Sequence, residues 1–119
     1  MSQKILLLSQ RELLRKNAIE HCAAQLMDAE EPDHKPVVKF FNPCGAATWL
    51  ISQMEEDGRM YGLCDCGHGT PELGYVMLDE LTSYVGPLGL KIERDMHFKA
   101  DKPLSEYADE ARDQGRIAA

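Results

Sequence analysis

Thr48-Trp49-Leu50-Ile51-Ser52-Gln53-Met54, then Glu55-Glu56-Asp57-Gly58, then Arg59-Met60-Tyr61-Gly62-Leu63-Cys64, is the stretch that decides the fold class of this chain. Its two flanks are rich in β-branched, aromatic and long apolar side chains, which suit a pleated and partly buried surface. The four residues between them are polar and end in glycine. The reading is a hairpin of two antiparallel strands whose connection puts Gly58 in the left-handed region, where the lack of a Cβ removes the steric cost.

The neighbouring segments extend the same sheet. Val37-Val38-Lys39-Phe40-Phe41 adds a strand that Asn42-Pro43-Cys44-Gly45 breaks, and residues 73–77, beyond Pro71, add another. Residues 91–98 alternate strictly, with Ile92, Arg94, Met96 and Phe98 on one face and Lys91, Glu93, Asp95 and His97 on the other. Helices are expected at both ends. Ser9 and Glu12 are placed as a capping box, ahead of an apolar stripe at Leu14, Ala18, Cys22 and Leu26 supplemented by Ile19 and Ala23. On that stripe Cys22 reads as a small buried hydrophobe, with His21 at its flank. Leu78, Leu81 and Val85 predict a short helix stopped by Gly86-Pro87. The last helix has Pro103 near its first turn, one face made of Leu104, Tyr107, Ala108 and Ala111, and a stop at Gly115. The charged, proline-bounded stretch 28–36 is a loop and not a domain boundary, since neither flank could form a core alone. Together these segments predict an α+β fold: an antiparallel sheet of four to five strands, covered on one face, with an N-terminal and a C-terminal helix packed on it. Residues 1–119 are expected to form a single domain, in which folding buries roughly 65% of the surface exposed by the unfolded chain, enough for a core without disulfides.

Charge and composition narrow the function. Thirteen Lys and Arg against 20 Asp and Glu give a net charge of -7, which disfavours direct binding to a nucleic-acid backbone, since such binding rests on clustered cations. A basic protein partner, or a nucleic-acid-binding protein whose groove the acidic surface could occupy, fits better. No apolar run approaches the ~20 residues of a membrane span. The run Lys4-Ile5-Leu6-Leu7-Leu8 is too short for a signal segment and meets Arg11, Glu12, Arg15 and Lys16 at once. Four cysteines in such a chain point to a reducing compartment, the cytoplasm.

Arg94 is the first candidate site residue. Alternation places its guanidinium among large apolar side chains, where it needs a carboxylate or several carbonyls, and Glu72, at the turn between Pro71 and Leu73-Gly74, is the expected partner. That pair either locks the turn to the strand or lines a pocket that grips a carboxylate or phosphate. Glu93, Asp95 and His97 form a row on the other face at ~7 Å spacing, too wide to share one ion without a third element. The row is either solvated surface or a site with His97 as general base. Trp49 and Tyr75 complete the candidate set, Trp49 as core or interface anchor. Cys44, Cys64, Cys66 and His68 suggest zinc, but C-x-C-x-H lacks the two-to-four-residue spacing that lets two sulfurs reach one ion. No metal and no cofactor is expected. Gly67-His68-Gly69 has no P-loop lysine.

Lys39-Phe40-Phe41-Asn42-Pro43, Thr48-Trp49, Tyr61-Gly62-Leu63, Pro71-Glu72-Leu73-Gly74-Tyr75, Gly86-Pro87-Leu88-Gly89-Leu90 and Ile92-Glu93-Arg94-Asp95 through Phe98 resemble a bacterial domain-of-unknown-function family of small proteins, often encoded on plasmids and integrated mobile elements. The resemblance runs from the first helix to the last. It implies a cytoplasmic mobile-element protein without a family-level reaction, with Glu72, Arg94 and Asp95 matching the pattern as an ion-pair network or a shared site. Cys66 and His68 stand where the family is usually apolar, which speaks against zinc. The preferred reading is a protein-interaction module that modulates host defence or plasmid maintenance. The alternative is a small enzyme or ligand-binding domain built on Glu72, Arg94 and Asp95, and the third is a zinc or redox module.

Overall fold

Alternation along one central strand divides the apolar side chains of this protein between two cores. The computed structural model describes residues 4–119. In chain order it runs α1 (Leu8–Leu26), β1 (Val38–Phe41), β2 (Thr48–Met54), β3 (Arg59–Asp65), β4 (Glu72–Met77), α2 (Leu78–Ser83), a 3-10 turn (Pro87–Gly89), β5 (Glu93–Arg94) and α3 (Leu104–Gln114). The strands form one antiparallel sheet in the order β4-β3-β2-β1-β5, so the fold is α+β as expected. The β2–β3 hairpin closes with Gly58 at φ 91° and the Glu55 N–H donating to the Arg59 carbonyl at 2.8 Å.

Ile51 joins Val38, Phe40 and Met60 under Leu14 of α1 and Leu81 of α2, whereas Leu50 and Leu63 meet Leu104, Tyr107, Ala108 and Ala111 of α3. Adjacent residues of a strand point to opposite faces, so the sheet is covered on both faces and not on one. The sign of this is the unbroken burial of residues 50–54, since a strand packed on both sides loses its polar alternation.

The α1 stripe also differs from expectation. Only Leu14 and Asn17 of this helix are buried; Cys22 is exposed, as are Ile19 and Leu26. The cause is a β-bulge in β2 between Ile51 and Gln53, just past the end of β1. There Asn17 Nδ2 donates to the Ser52 carbonyl at 2.9 Å, so a polar side chain takes one of the two buried places on the helix. The helix start also shifts. Gln10 Oε1 accepts the Leu7 N–H at 2.9 Å, two residues ahead of the expected Ser9–Glu12 box.

The predicted strand over residues 91–98 shrinks to Glu93–Arg94, paired with Phe41 and Phe40. Asp95 ends it. Its Oδ1 accepts the His97 N–H at 2.9 Å and its carbonyl accepts the Phe98 N–H at 3.3 Å, a local turn that competes with the ladder and leaves Met96 69% exposed. The last helix matches in detail: its four predicted face residues are buried and Gly115 caps it at φ 73°. Among the described residues no helix is long and apolar enough to cross a membrane.

Candidate functional site

The sheet order separates the residues singled out from the sequence. Glu72 on β4 and Arg94 on β5 sit at opposite edges of one cross-sheet row, Glu72–Cys64–Trp49–Phe40–Arg94, four strand spacings or roughly 19 Å apart. They do not pair. Arg94 is 8% exposed and its Nη1 donates to the Lys4 carbonyl at 2.5 Å, which ties the segment ahead of buried Leu6 to the sheet. Trp49 is half-buried against the Phe40 core, where it acts as packing.

Glu93, Asp95 and His97 likewise fail to form a row, because the turn at Asp95 rotates His97 into solvent. Asp95 Oδ2 lies 3.5 Å from Lys39 Nζ, and Lys39 also donates to the Ala119 carbonyl at 2.5 Å. Tyr75, at the far edge, is 54% exposed; its ring is 5.1 Å from that of Tyr61 and carries the Arg59 guanidinium 3.8 Å above it. Glu72, Arg94 and Asp95 therefore share no reaction centre.

The cysteines are scattered as well. Cys22, Cys44 and Cys66 are exposed and Cys64 is half-buried, and among the described residues no three His, Cys, Asp or Glu side chains are grouped to hold a metal. Burial, with a smaller contribution from Cys66, pushes the Cys64 thiol up from 9.0 to about 11. At pH 8 its thiolate fraction is then about 100-fold below that of an ordinary thiol. Iodoacetamide labelling followed by peptide mass mapping should modify Cys64 last; equal rates at all four would contradict its burial.

The structure draws together two features that sequence reasoning left apart, the turn after β1 and the segment after α2. Residues 84–90 form a tight projection in which the Gly86 N–H donates to the Leu90 carbonyl at 2.7 Å and the Gly89 N–H to the Gly86 carbonyl at 3.1 Å. Leu88 at its tip has φ 60° and ψ 18° and is 96% exposed. Tyr84, Val85 and Leu90 behind it are also exposed. Asn42 Nδ2 donates to Tyr84 Oη at 3.3 Å and Asn42 Oδ1 accepts the Cys44 N–H at 3.0 Å, so the projection is braced against the β1–β2 turn.

Beside it, on the other side of Asn42, lies an open cleft of about 610 Å³ whose polar lining includes Lys39, Thr48, Asp65 and Arg116. Asp65 is 3% exposed and accepts the Gly67 and Ile117 N–H groups, each at 2.9 Å, which closes the segment after α3 onto the hairpin. A backbone-satisfied carboxylate of this kind is a clasp, and Lys39 is already held by Asp95 and Ala119, so exposed Arg116 is the main charge the cleft leaves to a ligand. The projecting loop is the feature left without an internal role. In sequence it lies within an uncharged run of ten residues, 81–90, in a chain that is 28% charged.

The model of a family described as "Protein of unknown function (DUF2958)" matches residues 5–118. No curated protein and no solved structure matches the chain.

Proposed function

Because the chain belongs to the DUF2958 family, whose description carries no reaction, its function is read from its own surface, and we propose that it is a protein-interaction module that docks through the loop over residues 84–90. The observation that carries this is Leu88. A leucine in the left-handed region costs on the order of 1–2 kcal/mol, and leaving its side chain in water forgoes about 1.5–3 kcal/mol of burial. Glycine or asparagine would hold the same turn without either cost. A braced apolar tip that gains nothing inside its own chain fits a knob for an apolar socket on a partner, the kind of buried anchor that dominates interface energetics.

The partner this fits best is a folded protein with an apolar pocket and a basic rim, since a net charge of -7 would favour the encounter. The same charge disfavours direct contact with nucleic acid. Four unpaired cysteines suit the cytoplasm. Together with the resemblance to mobile-element proteins, they support a host protein of defence or plasmid maintenance as the target.

Leu88→Gly tests the reading. It removes the knob and relaxes the backbone, so thermal stability should hold or rise by up to about 1 kcal/mol. Recovery of a stoichiometric partner from host lysate, quantified by mass spectrometry, should fall at least about tenfold. The same partner captured at the same yield by Leu88→Gly would reject this loop as the docking element.

A further inference from the structure

The two edges of the sheet are treated differently. β5 is two residues long and stops at a carboxylate beside Lys39, which blunts it against pairing. β4 is six residues long, and residues 73–77 contain no charge and no proline. Its orientation follows from the ladder. The Leu78 N–H donates inward to the Gly58 carbonyl, so the backbone groups of Val76 and Gly74 also face β3, and those of Leu73, Tyr75 and Met77 face away from it. The N–H groups of all three and the C=O groups of Leu73 and Tyr75 are thereby left without a partner strand among the described residues, while the Met77 C=O already serves the first turn of α2.

We propose that β4 is a self-association edge, which pairs antiparallel with β4 of a second copy about a two-fold axis at Tyr75. The edge is complementary to itself in that register. Tyr75 faces Tyr75, that pair exchanging both N–H···O bonds, and Leu73 faces Met77, whose N–H donates to the Leu73 C=O; all six of these side chains lie on the face that carries α3. On the opposite face Gly74 meets Val76, so the branched side chain stands over the position where an added Cβ touches nothing within 4 Å. The 54% exposed Tyr75 ring gains a cross-strand aromatic partner. A heterologous peptide would satisfy the backbone, but nothing in the edge selects its side chains. The strand is only ~20 Å long, so the buried area falls at or below the ~800 Å² per partner of a standard interface, and association is weak. The Leu88 loop is braced on the β1–β2 turn and not on β4, so each can fail without the other.

Sedimentation velocity across a concentration series, read beside amide hydrogen exchange at low and high concentration, tests it. The expected result is a concentration-dependent dimer in which exchange slows at the amides of Tyr75 and Met77. Tyr75→Pro removes an N–H that β3 does not use, and it should raise the dissociation constant at least about tenfold with the circular dichroism spectrum unchanged. If Tyr75→Pro is unfolded, Tyr75→Lys, which sets two like charges on the axis, should give the same loss. A protein that stays monomeric throughout overturns the proposal. So does a dimer that leaves those two amides unprotected, or one that survives both substitutions.

Discussion

Gly62→Ala should leave no folded protein at 25 °C. Gly62 faces Ile51 across the β2–β3 ladder, beside the bulge, and a Cβ built on it would lie 2.0 Å from the Leu50 carbonyl oxygen and 2.8 Å from Ile51 Cα. Both are backbone atoms of the central strand, so no side-chain rotation relieves the overlap. Moving β2 aside would displace Leu50 and Ile51, each fully buried and each in a different core. Overpacking of side chains alone costs ~1–3 kcal/mol, and a backbone clash of this depth should exceed ~5 kcal/mol, comparable to the whole stability of a small domain. Gly74→Ala is the control, since its Cβ would meet nothing within 4 Å and should change stability by under ~1 kcal/mol. Circular dichroism melts of the two variants separate these cases. A Gly62→Ala protein that melts near the parent would mean the strands do not approach this closely.

Arg94→Ala is expected to be the next most damaging change, at about 3 kcal/mol, through stability and not through lost binding. The side chain is 8% exposed and its Nη1 holds the Lys4 carbonyl at 2.5 Å, so truncation removes a charge-assisted hydrogen bond together with the apolar stem packed beside the core. Arg94→Lys should recover only part of that loss, because an ammonium cannot reproduce the guanidinium fork. Urea midpoints of the three proteins check the order; coincident midpoints would remove Arg94 from the core.

Much of this fold was legible because local chemistry and global packing agree there. The strand over Thr48–Met54, the left-handed Gly58 and the buried face of α3 follow from periodicity and turn chemistry alone. Where reading failed, a long-range fact had intervened. The protected place of Asn17 on α1 depends on a carbonyl at a bulge 35 residues away, which no helical period encodes. The predicted strand beyond Arg94 ignored the capacity of Asp95 to bond its own backbone two residues on. The candidate site shows the same limit. Arg94 was correctly placed on a buried face, but the choice of Glu72 as partner needed the strand order, which puts the two at opposite edges. Leu88 was hidden because an apolar residue between Pro87 and Gly89 reads as ordinary turn filler until its exposure is seen.

The bond from Arg94 to Lys4 spans 90 positions of the chain. The β1–β2, β2–β3 and β3–β4 pairings join neighbours in sequence, whereas β5 and the N-terminal segment reach their partners only across long loops whose closure entropy precedes any gain. The central meander is therefore expected to assemble first and the β5 clasp to close late. A clasp formed after the rate-limiting step governs how long the native state lasts and hardly how fast it is reached, so Arg94 is expected to act as a brake on unfolding.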